Sequence, residues 1–261
     1  MTIIDTHAHL DQIENLDGVL EAAHREGVEG IVAVSMDLPS CQKNLDIKKT
    51  KSKPNIFLAL GMHPSEADLN ELKPVSALIE ENASRLSAIG EIGLDFWYKW
   101  VKKDPAKKEE QRIVFRTYLE LAKKLDLPVS IHSRGAWREC LETVKDVGVK
   151  RAVFHWYSGP IDVLDEIMAE GFYVGATPSL AYSPQSRQAI QHAKIEHILI
   201  ETDSPVYYHT GGPQTLDQQG FKAKPQDVWE TLKAYCQLTG MNQEKALEIF
   251  NANARRLFKL K

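Results

Sequence analysis

The strongest constraint in this chain is an alternation. Short runs rich in β-branched and apolar residues recur as TIIDT (2–6), GIVAVS (30–35), IFLALG (56–61), LSAIGEIG (86–93), LPVSIH (127–132), RAVFH (151–155), FYVGA (172–176) and HILIETD (197–203). Between them lie longer amphipathic stretches, among them LDGVLEAAHREG, VFRTYLELAKKLDL, WRECLETVKDVG and PIDVLDEIMAEG. Gly27, Gly148 and Gly171 fall where helix C-caps belong. Near-continuous apolar strands separated by helices are the pattern of a parallel sheet buried on both faces. Eight such units predict an α/β fold, a TIM-type (β/α)8 barrel forming one domain over residues 1–261. The tail from Pro225 onward supplies the last helices. A doubly wound open sheet is the competing arrangement. It gains nothing here, because no GxGxxG follows the first run.

Composition narrows the setting. At 261 residues and 43% hydrophobic the chain can bury a large core. No apolar run is long enough to span a bilayer, and the first strand begins directly after Met1 with no leader pattern. Cys41, Cys140 and Cys236 are odd in number and form no CxxC pair, so they read as reduced thiols rather than a disulfide frame or zinc ribbon. The expectation is a cytoplasmic protein without membrane contact or obligate protein partner. A formal net charge of −4 gives no support to coating nucleic acid by bulk electrostatics, so any polyanion contact must be local.

The polar residues collect at one end of the predicted strands. In MTIIDTHAHLDQ, His7 and His9 stand one residue apart at the end of the first strand, so both project to one face. His63 follows the third strand in GMHP, and Glu91 ends the fourth in GEIGLD. His132, His155 and Asp203 end the fifth, sixth and eighth. Each alone is an ordinary loop residue. All at the carboxyl ends of barrel strands, they converge on the face where active sites are built. The other histidines do not join them: His24 and His192 lie in helical stretches, His197 begins a strand and His209 falls in a loop.

That set suits two divalent ions about 3.5–4 Å apart, which need a bridging ligand. A carboxylate bridges two ions and a neutral imidazole does not, so Glu91 is the expected bridge. One ion then takes His7, His9, Glu91 and Asp203; the other takes Glu91, His132 and His155, with room left for water and substrate. His63 is surplus and is assigned either to substrate or to a supporting position behind the ligands. The metals are Zn2+, Mn2+, Mg2+ or Co2+, since nitrogen-rich ligands do not select among the transition ions by affinity order alone.

DTHAHLD, GMHP, GEIGLD, PVSIHSR, FHWYSG and ETDSP, in this order and spacing, resemble the TatD family of metal-dependent deoxyribonucleases in the amidohydrolase superfamily. The resemblance runs from Thr2 to about Leu257 and includes the closing NANARRLF. It implies a TIM-type barrel, a divalent-metal site and hydrolysis of phosphodiesters, with single strands trimmed from the 3′ end. The family's ligands fall on His7, His9, Glu91, His132, His155 and Asp203. Departures bear on the substrate rather than the metals. HWYSG stands where the family often has HCFSG, Phe115 is followed by Tyr118 and Leu119 where FxxQL is usual, and VYYHTGGPQTLDQQGFKAKP replaces an Arg-rich stretch.

The expected mechanism is attack on phosphorus by a hydroxide bridging the two metals. Asp203 and Glu91 serve as catalytic carboxylates, with Asp203 orienting the water or taking its proton. His63 and Arg134 hold phosphate oxygens, Arg134 by its planar fork; an ion pair with Glu139 is the structural alternative for Arg134. The loop DFWYKWVKKDPAKK (95–108) carries Phe96, Trp97, Tyr98 and Trp100 with Lys99, Lys102, Lys103, Lys107 and Lys108. Lys99 and Trp100 are expected to touch a single strand of DNA or another nucleic-acid end, whereas Phe96 and Trp97 are expected to pack beneath the loop. The rival activity is hydrolysis of C–N or ester bonds (cyclic amides, lactones or aminoacyl esters) on the same scaffold. Binuclear sites of that superfamily often bridge with a carboxylated lysine, and Glu91 at that position favours the phosphodiesterase branch. A non-catalytic metal-bound scaffold is the third reading; the open coordination position and the candidate base Asp203 count against it.

Overall fold

The structure is a computed structural model in which residues 1–209 and 220–260 are described. Strand and helix alternate as β1 (Ile3–Ala8), α1 (Leu16–Arg25), β2 (Val28–Val34), α2 (Leu38–Thr50), β3 (Asn55–Leu60), α3 (Leu72–Asn82) and β4 (Leu86–Gly93). A short α4 (Lys99–Lys102) and the long α5 (Pro105–Leu125) follow. Then come β5 (Val129–His132), α6 (Trp137–Val147), β6 (Ala152–Phe154), α7 (Ile161–Ala169), β7 (Tyr173–Ala176), α8 (Pro184–His192) and β8 (Ile198–Ile200). A hairpin of β9 (Tyr207–His209) and β10 (Gly220–Lys222) precedes α9 (Val228–Thr239) and α10 (Gln243–Phe258). The eight parallel strands stand side by side in sequence order, the arrangement of a (β/α)8 barrel.

The strands are apolar on both faces because each face meets a different layer. Ile3, Ile31, Leu58, Ile89, Ile131 and Phe154 belong to the core between barrel and helices. Ile4, Val32, Val34, Ala59, Ala88, Val153, Tyr173 and Leu199 form a second, interior core. Ala254, Leu257, Phe258 and Leu260 from the C-terminal segment join that interior cluster at the end of the barrel where β1 begins. Among the described residues, no helix is long and apolar enough to cross a membrane.

Several details differ from the sequence reading. The eighth strand ends at Ile200 rather than Asp203, because Asp203 takes a left-handed conformation (φ 50°) and turns back to β1. Its backbone N–H donates to the His7 carbonyl at 2.9 Å, and His9 N–H donates to Ser204 at 2.8 Å, so β8 and β1 are joined at their carboxyl ends. His209 lies in β9 rather than in a loop, and His197 closes a 3-10 turn ahead of β8 rather than beginning that strand. Of the stretch VYYHTGGPQTLDQQGFKAKP (206–225), Tyr207–His209 and Gly220–Lys222 pair in this hairpin, and residues 210–219 fall outside the described residues.

Candidate metal centre

In β1, Ile3 and Ala8 both face the outer core although their positions have opposite parity. The phase flips at a register irregularity between Asp5 and Ala8. Bulges re-aim side chains, and this one turns His7 and His9 inward. The buried Asp5 carboxylate pins it, accepting from His7 N (3.3 Å), Thr202 N (2.9 Å) and Thr202 Oγ1 (2.6 Å). A second irregularity, between Ile89 and Ile92, does the same for Glu91 in β4. His132, His155 and Asp203 reach the same interior from the ends of β5, β6 and β8.

Glu91 sits at the middle, 1% exposed. Its Oε2 lies 3.3 Å from His7 Nε2 and 3.4 Å from His9 Nε2, and both nitrogens are within 3.5 Å of Asp203 Oδ1. Its Oε1 lies 2.8 Å from both His132 Nδ1 and His155 Nε2. One carboxylate thus offers a separate oxygen to each of two donor groups.

The donor set fits cations. Ligand atoms held about 2.0–2.2 Å from one ion stand roughly 3–3.5 Å from each other, which is the spacing of the His7, His9, Asp203 and Glu91 Oε2 atoms. The buried His7 Nε2 has no hydrogen-bond partner, although buried polar atoms nearly always have one. Among the described residues, ligand atoms lie within 4.8 Å of one another in three groups: His7, His9 and Asp203; His63, Glu91 and His132; and His7, His155 and Glu201.

The electrostatics agree. Burial pushes the Glu91 carboxyl up, but His155, His63 and His7, with the His132 hydrogen bond, outweigh it and hold it well below the usual range. Burial lowers His9, yet hydrogen bonds to Asp203 and Glu91 lift it to about 10. His155 is likewise raised against burial, chiefly by Glu91. A chain without metal therefore stores protons where cations would sit.

His63 behaves differently. Its Nδ1 accepts from Ser65 N–H at 3.0 Å, and burial pushes its pKa down to about 3. A neutral ring with Nδ1 accepting carries its proton on Nε2. That Nε2–H lies 3.2 Å from His132 Nδ1 and 3.7 Å from Glu91 Oε1. In its neutral form His63 thus turns an Nε2–H toward the site, whereas His9 and His155 hold protons that a cation would displace.

The sequence profile of the TatD related DNase family matches residues 4–259. The chain belongs to this family. It is 31% identical to a metal-dependent hydrolase of Bacillus subtilis, YabD, over 99% of both chains. It is 28% identical to human deoxyribonuclease TATDN3, covering 98% of this chain and 94% of that one. A solved TatD homologue from Escherichia coli, YjjV, superposes with a TM-score of 0.84 at 23% identity over 99% of this chain and 98% of that one.

As in any (β/α)8 barrel, the site of this TatD-related chain opens at the carboxyl ends of the strands. A cavity of about 500 Å³ lies over Glu91, lined by His9, His63, His132, His155 and Asp203 and walled by Tyr98, Arg134, Trp137 and Trp156. A larger, more open hollow of about 840 Å³ at Tyr182, Arg187 and His192 lies apart from the donor groups.

Three residues missed by the sequence reading hold the ligands. Asp95 Oδ2 accepts from His132 Nε2 (2.7 Å) and from Arg134 Nε (2.8 Å), tying a candidate ligand to a candidate phosphate binder. Ser130 Oγ lies 3.3 Å from His7 Nδ1, leaving Nε2 to the carboxylates. Glu201 Oε1 lies 3.4 Å from His155 Nδ1 and accepts from Trp156 N–H at 2.7 Å. Asp95 and Glu201 sit inside GEIGLD and ETDSP, so their motifs were in view but their partners were not.

Arg134 does not pair with Glu139, because Arg112 takes that carboxylate at 2.5 Å. Its guanidinium lies instead over the Tyr98 ring at 4.8 Å. Phe96 is half-buried under Lys108 and Arg112, as expected. Trp97 is 56% exposed rather than packed beneath the loop, because it stands against Gly135 and perpendicular to Trp137 on the surface. Lys99 and Trp100 are exposed and stand outside the cavity lining; the Trp100 ring stacks on Tyr98, which is part of that lining.

Proposed function

We propose that this chain is a divalent-metal-dependent phosphodiester hydrolase that trims single-stranded DNA from its 3′ end. The observation that carries the reading is Glu91, whose two oxygens face two separate groups of imidazole and carboxylate donors. His7, His9 and Asp203 would hold one ion with Glu91 Oε2, and His132 and His155 the other with Oε1. Bound there, two cations acidify water toward neutral pH and offset negative charge on the phosphate.

The chain's own groups do the rest. Asp203, held ionised by His9, His155 and His7 against burial, orients the attacking water and accepts its proton. His63 donates Nε2–H to a phosphate oxygen. Arg134 spends Nε on Asp95, which leaves its two terminal nitrogens for a second oxygen. Lys99 and Trp100, beyond the cavity, follow the strand as it leaves. The three unpaired cysteines support a reducing, cytoplasmic setting.

The test is turnover of end-labelled oligonucleotides by the purified chain with Mn2+, Zn2+, Mg2+ or Co2+. Stepwise shortening of a 5′-labelled single strand is the expected result. Release of label as mononucleotide from that same end would reverse the polarity. Turnover of carboxylic esters or cyclic amides with none of any phosphodiester would overturn the reading.

A further inference from the structure

Two large indoles bound the cavity, and neither belongs to the metal chemistry. A methyl group built on Gly159 would stand 2.7–2.8 Å from Cγ, Cδ1 and Cδ2 of Trp137. Near-equal distances to three atoms of one ring put that backbone against the ring face, so glycine is needed there and the indole is backed by main chain. Trp97 stands perpendicular to it, with centroids 5.5 Å apart. Trp156 is fixed by other means. It holds a left-handed backbone (φ 41°), unusual for so bulky a residue, and its N–H is anchored on buried Glu201. Strain of that kind persists only where the surroundings impose it, and it gathers at binding sites. Its ring lies 5.4 Å from the fully buried Tyr208, whose hydroxyl donates to the Thr202 carbonyl.

The cavity lining thus combines cation donors, the Arg134 fork and two buttressed aromatic side chains. The cavity volume of about 500 Å³ falls within the roughly 300–1,000 Å³ that enclose one small ligand. Phosphate is met by the cation donors and the fork; the remaining apolar, planar recognition suits a nucleobase. We propose that Trp137 and Trp156 are specificity-determining residues that grip the unpaired terminal base beside the scissile phosphate. This rests on the phosphodiesterase reading for the phosphate, and it moves base recognition from the exposed loop tip at Trp100 to the cavity wall.

The experiment compares two single strands that differ only in their terminal residue, an ordinary nucleotide or a sugar-phosphate lacking its base. Wild-type chain is expected to favour the base-bearing end by about fivefold or more in kcat/KM, the lower limit of stacking on one aromatic ring. Trp137→Leu, which keeps apolar bulk over Gly159, is expected to erase that preference through KM, with bound metal unchanged. Trp137→Phe is expected to restore part of it, and Trp156→Leu to reduce it independently. A second readout needs no turnover: quenching of tryptophan fluorescence by deoxyadenosine monophosphate against deoxyribose 5-phosphate, with the same fivefold preference lost in Trp137→Leu. Equal losses on both strands, or a preference that survives both leucine variants, would overturn the proposal. Hydrolysis without any base preference would sink this inference alone. Base-dependent binding without hydrolysis would uphold it and sink the phosphodiesterase reading.

Discussion

Replacing Glu91 with Ala is expected to empty both metal positions at once. Each of its oxygens serves a different donor group, at 3.3–3.4 Å on one side and 2.8 Å on the other. The remnants, three ligands on one side and two on the other, lose both a charge and the atom that fixes the spacing between ions. The size of the effect follows from linkage. Free metal at about 100 times its Kd adds about 2.7 kcal/mol per site, so two sites add about 5.4 kcal/mol. For a chain of this length about 1 kcal/mol moves Tm by roughly 2–4 °C, so loading the wild type is expected to raise Tm by roughly 10–20 °C. In Glu91→Ala the metal-induced rise should vanish at the same metal concentration. Differential scanning fluorimetry, alongside elemental analysis of the dialysed protein, measures both quantities. One equivalent of metal retained, with about half of the thermal shift, would refute the bridging assignment and make Glu91 a ligand of a single ion.

His63→Ala is expected to retain both ions while kcat/KM falls, since its Nε2 carries a proton rather than a lone pair; loss of stoichiometric metal would make it a ligand. Asp95→Asn removes the acceptor shared by His132 and Arg134. It is expected to weaken the ion at His132 by about 10–100-fold and leave the other in place, read by metal titration. Neutralising Lys99, Lys102 and Lys103 together is expected to flatten the log–log salt dependence of KM on single strands by about 0.7 for each phosphate that a lysine no longer neutralises; an unchanged slope would remove the loop from the binding surface. The proton held by His9 gives the last prediction. Its pKa rises from 6.5 to about 10 on folding, so in the metal-free chain its stabilising contribution is full below pH 6.5 and is lost as pH climbs through about 10. Metal must displace that proton, so apparent metal affinity is expected to tighten with pH over the same interval, measured by calorimetry in buffers of different ionisation heat.

Most of the frame was legible because barrel strands declare themselves. Buried on both faces, they read as continuous apolar runs, and their polar residues gather where those runs stop. His7, His9, Glu91, His132, His155 and Asp203 could be listed from that rule alone, and the structure brings them together. What the rule could not supply was phase. Alternation alone cannot show that β1 and β4 slip register beside His7 and Glu91, because a bulge depends on the neighbouring strand rather than on local sequence. Pairings were hidden for the same reason. Arg134 and Glu139 stand close in sequence, yet Arg112 reaches Glu139 across from α5. Asp95 gave no sign of spanning His132 and Arg134, whose positions are set by a different strand end. Trp97 misled because an aromatic side chain in a loop is usually covered, and here its cover is another indole.

The packing of Leu257, Phe258 and Leu260 against Ile4, Val32 and Leu199 gives the molecule a timetable. The floor of the barrel is made from the last stretch of chain, pressed against residues near the first. Asn251 reinforces the junction, accepting from Ile4 N–H and donating to the Thr2 carbonyl. Contacts separated by nearly the whole sequence form late and slowly, since the intervening loop must close before they repay its entropy. Until Leu257, Phe258 and Leu260 dock, the barrel lining at Ile4, Val32 and Leu199 lacks that apolar cover. Uncovered apolar lining of that kind favours aggregation, so truncation ahead of Leu257 is expected to lower the soluble fraction of the expressed protein.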